Sequence, residues 1–364
     1  MATLRRRTPD LMLLLAVLSL LGLGLVMVAS ASTIRGLQKG NDAFYFTKHQ
    51  LIYAGLGLIG MFSAMNVDYH QWRRFTVPAM IAAPVLLVLV LVLGEKTLGA
   101  RRWISLGFVN IQSSEFAKLA LIMVVAHYLA ELGDGVRHFG TGVLVPLLFT
   151  GLLAALIMAE PNLGTTLVIC AVAFSLIFAA GARLWHLGIL ASVAVVVLAV
   201  YAMSAPYRLK RLTTFGNPFK DPQGAGYQVI QSLYALGSGG PFGVGIGRSR
   251  QKFSYLPEAH TDYIFSIIGE EMGLIGTLFV LVLFFFVVWR GLRAALAAKD
   301  LYGTLLAVGI TSLIGFQAIL NIGVVTSTLP VTGITLPLLS SGGSSLIVSL
   351  VALGILLNIS RQAS

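Results

Sequence analysis

Ten apolar stretches of membrane length follow one another along the chain, at about 11–31, 49–66, 76–93, 115–131, 142–159, 163–181, 184–203, 262–290, 303–325 and 338–359. Each is bounded by charged residues or by Gly and Pro. Backbone groups in lipid must be satisfied within the segment, so helices are expected. A transmembrane β-barrel would alternate apolar and polar residues, and neither Val193–Val200 nor Leu278–Val288 does so. The expected fold is an all-α polytopic membrane protein of about ten transmembrane helices. It is read as one integral membrane domain over 1–364, with a tail at 1–10 and a long loop, 204–261, between helices 7 and 8. No convincing internal repeat is visible, which weakens an inverted-repeat transporter reading.

Composition agrees. Only 11% of the residues are charged and 57% are hydrophobic, against about 25% charged in a soluble domain. An ordinary soluble enzyme is excluded. The lone Cys170 excludes an intrachain disulfide and a cysteine-based metal site. The net charge of +11 is scattered among loops, so it implies anionic lipid or a lipid phosphate and no nucleic acid. Arg5–Arg7 followed by Leu11–Val28 and Ala29-Ser30-Ala31 has the outline of a cleaved signal peptide. The apolar run is long for a signal core and more spans follow, so a retained first span is expected. With the N-terminus inside, inner segments carry eleven Lys and Arg and the short outer loops carry six. That bias places both termini in the cytoplasm and the long loop outside, in a multi-pass protein of a bacterial cytoplasmic membrane.

A connection of nearly sixty residues needs a reason. The loop holds Arg208, Lys210, Arg211, Lys220, Arg248, Arg250 and Lys252 against Asp221 and Glu258. A basic concave surface for a phosphate or diphosphate, and non-specific binding of anionic lipid, are both open readings. The run Gly237–Gly247 has neither a preceding strand nor a P-loop lysine. It reads as a flexible surface loop whose glycines would also permit close approach of a ligand.

The segment Leu256-Pro257-Glu258-Ala259-His260-Thr261-Asp262-Tyr263-Ile264-Phe265 joins this loop to a long apolar helix. Asp262 falls at the water–lipid boundary. A partly desolvated carboxylate there suits a general base, and an acid just before a helix equally suits an N-cap. Glu270 and Glu271 follow within the helix, deep enough that they should face protein or water. Glu270 reads as part of a groove wall or as a buried acid paired to a base. Glu115 and Lys118, at i and i+3, are either a self-satisfied pair or a lysine for a diphosphate with a glutamate to position it. Arg101 and Arg102 are expected to face head groups, with Trp103 as an interfacial anchor. Glu160, in the turn Glu160–Thr165, is solvated or lines the same cavity. Ser344, in Pro337–Ser345, lies where a helix start offers N–H groups to an anion, or where small residues allow close packing.

These segments resemble the SEDS family (shape, elongation, division and sporulation). The likeness rests on Gly99–Trp103, Glu115–Lys118, Glu160–Thr165, the loop from Asp221 to Ser254, Leu256–Gly273 and Leu336–Ser345. Ala259 and Ile267-Ile268-Gly269-Glu270-Glu271 resemble the FtsW and SpoVE branch, as does Leu339-Ser340-Ser341-Gly342-Gly343, whereas Leu329-Pro330-Val331-Thr332-Gly333 is closer to RodA. Two departures are Asn162, where the family commonly has Asp, and Ser113, where it commonly has Pro. The resemblance implies a glycosyltransferase that polymerises lipid II into glycan strands at the outer membrane face. It implies undecaprenyl diphosphate as leaving group, and a class B penicillin-binding protein and other divisome proteins as partners. Asp262 is implied as the catalytic base. Lys118, Arg248, Lys252, Arg101 and Arg211 are candidate cations for the leaving diphosphate; Glu115, His260 and Ser344 complete the substrate-binding candidates. No cofactor is evident. A divalent cation is compatible with this chemistry, although no ligand set is visible. The alternatives are a lipid II flippase and an elongation-type polymerase.

Overall fold

The computed structural model describes residues 8–97, 100–105, 110–203, 215–224, 226–253 and 255–363. Among these residues the helices are α1 (Leu11–Gly40), α2 (Tyr45–Asn66), α3 (Thr76–Leu93), α4 (Ser113–Leu132), α5 (Val145–Ala159), α6 (Leu163–Ala179), α7 (Leu184–Met203), α8 (Tyr227–Gly239), α9 (Ile264–Ala297), α10 (Leu301–Val325) and α11 (Gly343–Ala363). Seven helical segments are long and apolar enough to cross a bilayer, and α6 and α7 are shorter apolar helices. The 22-residue α2 packs against α1 and α11 in the same bundle. These ten correspond to the ten predicted spans.

The helices start where local chemistry allows. The Asp10 carboxylate accepts from the Leu13 amide to open α1, and Asp300 does the same for Gly303 at the start of α10. At α6 the cap is Asn162, whose Oδ1 accepts from the Thr165 amide at 3.2 Å. The amide keeps the capping role that a carboxylate would fill. In the bundle, α10 and α11 are the most enclosed spans. On α2, Gly57 and Gly60 meet Leu350 and Val351 of α11, so small residues let the two helices approach. Valines of α7 and phenylalanines of α9, such as Val195 and Phe285, stay exposed on the outside of the bundle, as a lipid-facing surface requires.

Three features depart from the expected loops. A small antiparallel sheet, β1 (Glu95–Thr97), β2 (Ala100–Ser105) and β3 (Asn110–Gln112), follows α3 in the order β1-β2-β3 and runs straight into α4. The long loop contains a helix, α8, that buries Val229, Ile230, Ser232 and Ala235 at helical spacing. The Gly237–Gly247 run is built into the bundle rather than free. Helix α9 breaks at Gly273 (φ 67°), which interrupts its own hydrogen-bond ladder. The loop fills the break. Val244 and Gly245 donate their amides to the Glu270 and Glu271 carbonyls (2.9 and 3.0 Å), and Leu274 and Ile275 donate to the Gly240 and Pro241 carbonyls (2.9 and 3.2 Å). A Cβ on Gly273 would run into Gly243 and Pro241, and one on Gly243 into Glu271. The glycines are there because two backbones meet, and four of the helix groups at the break, the Glu270 and Glu271 carbonyls and the Leu274 and Ile275 amides, find partners in the loop.

Candidate active site at the start of α9

Two carboxylate clusters flank the first turns of α9. The deeper one is closed. Glu270 accepts from the Ser249 hydroxyl and from the Arg250 and Gln251 amides (2.8 and 3.3 Å). Glu271 accepts from Ser30 of α1 at 2.6 Å and pairs with Lys252 at 3.2 Å. The Lys252 ammonium also donates to the Ser30 hydroxyl and the Gly247 carbonyl. Both acids are buried, at 2% and 1% exposure, and their lone pairs are spent on the loop that patches the helix break. Lys252, read from the sequence as a cation for a leaving group, is placed as an internal strut.

The second cluster surrounds Asp262. The residue lies in a turn before α9; the N-cap position is Tyr263, and no side chain caps it. The capping reading of Asp262 therefore fails, and its carboxylate is left for other work. Its main chain is pinned from two other elements. Buried Asn321 of α10 donates Nδ2 to the Asp262 carbonyl and to the Ile334 carbonyl, each at 2.7 Å. Ser340 donates to the Thr261 carbonyl at 2.5 Å, and the Ser341 amide donates to the His260 carbonyl at 2.9 Å. Gly333 (φ 69°) borders the carboxylate; a Cβ there would lie 3.5 Å from Asp262 Oδ2. Glycine keeps that side open, and the side chain is half-buried. Burial pushes the Asp262 carboxyl up to about 7, the negative Glu258 adds to the rise, and the Arg102 guanidinium opposes it.

Arg102 brings a third acid into the neighbourhood. Its Nε donates to the Glu160 carbonyl at 2.9 Å and its terminal nitrogen to the Pro161 carbonyl. Glu160 is fully buried. One carboxylate oxygen accepts from Ser113 at 3.2 Å, and Oε2 has no hydrogen-bond partner among the described residues. Burial lifts it to about 7, against the pull of Ser113 and Arg102.

The other predicted site residues are placed as follows. Arg101 donates to the Leu91 and Val92 carbonyls (3.1 and 3.2 Å) and so closes the end of α3. Neighbouring residues of a strand face opposite sides, so only one of the two arginines reaches the acids. Glu115 and Lys118 form a buried pair at 2.8 Å in the first turns of α4. Ser344 accepts from the Gln112 amide and donates to the Asn110 carbonyl, both at 3.1 Å, tying β3 to α11. His260 is buried, its ring 4.7 Å from that of Phe46. Arg248 is exposed on the wall of a separate cavity of about 760 Å³ between α8 and the glycine-rich loop. Arg211 lies outside the described residues. The sequence reading did not single out Asn321, and it ranked Arg101 above Arg102. Among the described residues, no group of three His, Cys, Asp or Glu side chains converges as a metal site.

The comparisons with known proteins are extensive. The chain is 48% identical to stage V sporulation protein E of Bacillus subtilis (strain 168), over 99% of both chains. It is 46% identical to a probable peptidoglycan glycosyltransferase FtsW of Trichlorobacter lovleyi, over 96% of this chain and 93% of the relative. A chain from a solved peptidoglycan synthase complex, described as coordinating polymerization and crosslinking, superposes with a TM-score of 0.80 at 32% identity, covering 98% of each chain. The crystal structure of the rod shape determining protein RodA of Thermus thermophilus gives 0.71 at 29% identity, covering 97% of each. The family model for the FtsW/RodA/SpoVE cell cycle proteins matches residues 11–364. The chain belongs to the FtsW/RodA/SpoVE family.

Proposed function

We propose that this protein is a peptidoglycan glycosyltransferase that polymerises lipid II on the outer face of the cytoplasmic membrane, in division or spore wall synthesis. The observation that carries the reading is the Asp262 carboxyl: half-buried, bordered by glycine, fixed through its main chain by α10 and the segment before α11, and raised to about 7. A group poised near neutrality is suited to accept a proton and release it again. The relatives named as probable peptidoglycan glycosyltransferases support the same activity, and the sporulation relative supports a role in the spore wall.

In this mechanism Asp262 removes the proton from an acceptor sugar hydroxyl. The oxygen attacks the anomeric carbon of the donor as the bond to undecaprenyl diphosphate breaks, with inversion. The electron pair leaves on the diphosphate, and Asp262 returns its proton to water. Arg102, held by the 160–161 carbonyls, is the cation best placed to meet the developing negative charge. The end of the bundle carrying Asp262 faces outward in this reading, and both termini lie in the cytoplasm. A class B penicillin-binding protein would cross-link the product; the likeness to a chain of a synthase complex supports such a partner. The test is reconstitution with that partner and lipid II. Asp262→Ala should bind lipid II and make no strands. Normal strand synthesis by this variant would overturn the assignment, and head-group translocation without strands would favour a flippase.

A further inference from the structure

Glu258 occupies an unusual position one turn before Asp262. Its φ is +54°, a left-handed value that strains any residue with a side chain. The turn built on it repays this. The Glu258 carbonyl accepts from the Thr261 and Tyr263 amides (3.1 and 3.3 Å), which wraps the chain around Asp262. Both carboxylate oxygens are also used. Oε2 accepts from the Thr261 hydroxyl at 3.0 Å, and Oε1 pairs with Arg35 of α1 at 2.7 Å. The pair lines a cavity of about 220 Å³ with Gln38, Lys252 and His260. It is reachable by solvent, with Arg35 46% and Glu258 29% exposed. The charged groups acting on Asp262 are Glu258 from its own turn and Arg102 from β2; α10 contributes the Asn321 amide and the segment before α11 contributes Gly333. Arg35 holds the Glu258 carboxyl below its ordinary value although burial works the other way, and His260 acts in the same sense as Arg35.

We infer that Arg35 and Glu258 are positioning residues, and that α1 acts on the Asp262 base by fixing the charge and the turn in front of it. The inference rests on the proposed role of Asp262. Glu258 presents a like charge to the base and holds its proton affinity up; Arg35 partly cancels that charge. The two members of one ion pair therefore pull on Asp262 in opposite directions, which a purely structural bridge does not do.

The test is the pH dependence of kcat/KM for strand synthesis from lipid II by the full-length protein with its cross-linking partner. Glu258→Gln should move the acidic limb to lower pH by about one unit or less, because exposure screens the pair. Arg35→Gln should move it to higher pH, and Arg35→Lys should restore the wild-type position. Raising the salt concentration should shrink both displacements. Limbs that stay in place, or that move the same way in both variants, overturn the inference. If Arg35→Gln fails to fold, Glu258→Gln decides alone, and an unmoved limb is the negative result. Asp262→Ala separates the two proposals. An inactive Asp262→Ala with unmoved limbs refutes only the role of the pair, whereas an active one refutes the base itself.

Discussion

The acids Glu270 and Glu271 lie within ten residues of Asp262, and the two sites have opposite characters. Glu270 and Glu271 are buried and saturated: hydroxyls, backbone amides and an ammonium occupy their oxygens. Asp262 and Glu160 are enclosed with far fewer donors, and burial holds both near 7. Hydrogen bonds to a carboxylate stabilise its charged form, and burial without them favours the proton. The first pair thus has the character of architecture and the second that of chemistry. The count of donors separates them.

The contrast can be broken most severely at Lys252. Lys252→Met leaves Glu271 as an uncompensated buried charge and should cost about 3–5 kcal/mol of stability, read as a large drop in melting temperature in detergent, with activity lost in proportion to fold. Glu270→Gln removes the charge from a site with three donors and should cost about 1–3 kcal/mol, again as a melting shift, with an unchanged pH profile in the protein that remains folded. Glu160→Gln should act in the other direction. Burial raises Glu160 from 4.5 to about 7, so the folded chain holds that proton more tightly than the unfolded one, and stability falls as pH rises through this window. The glutamine variant should match wild type below pH 4.5 and exceed it by about 3 kcal/mol above pH 7. A Glu160→Gln variant that melts lower than wild type at pH 8 would remove Glu160 from the under-satisfied class.

The spans were legible because a bilayer demands long apolar runs, and the runs from 11 to 359 sit where the helices do. The family motif also singled out Asp262. Other features depend on contacts that sequence spacing does not encode. The Gly237–Gly247 run reads as a free loop until the break at Gly273 is known, because its partners lie some thirty residues later in the chain. Lys252 looks like one more basic loop residue, yet the path of that loop carries it onto Glu271 and Ser30. Arg101 and Arg102 are alike as letters, and the strand alternation that separates them is short and weakly signalled. Helix α8 did leave a trace, with Val229, Ile230, Leu233 and Leu236 at helical spacing. Asn321 left none, since a buried amide in an apolar run reads as packing glue as readily as a clamp on a distant turn.

The most direct test is the rate of glycan strand synthesis by Asp262→Asn at pH 8 and saturating lipid II, beside wild type and with melting temperatures in hand. Loss of a general base predicts a rate lower by about 10²–10⁴-fold in a protein that melts no lower than wild type. A variant that is equally well folded and polymerises within a few-fold of wild type would contradict the account.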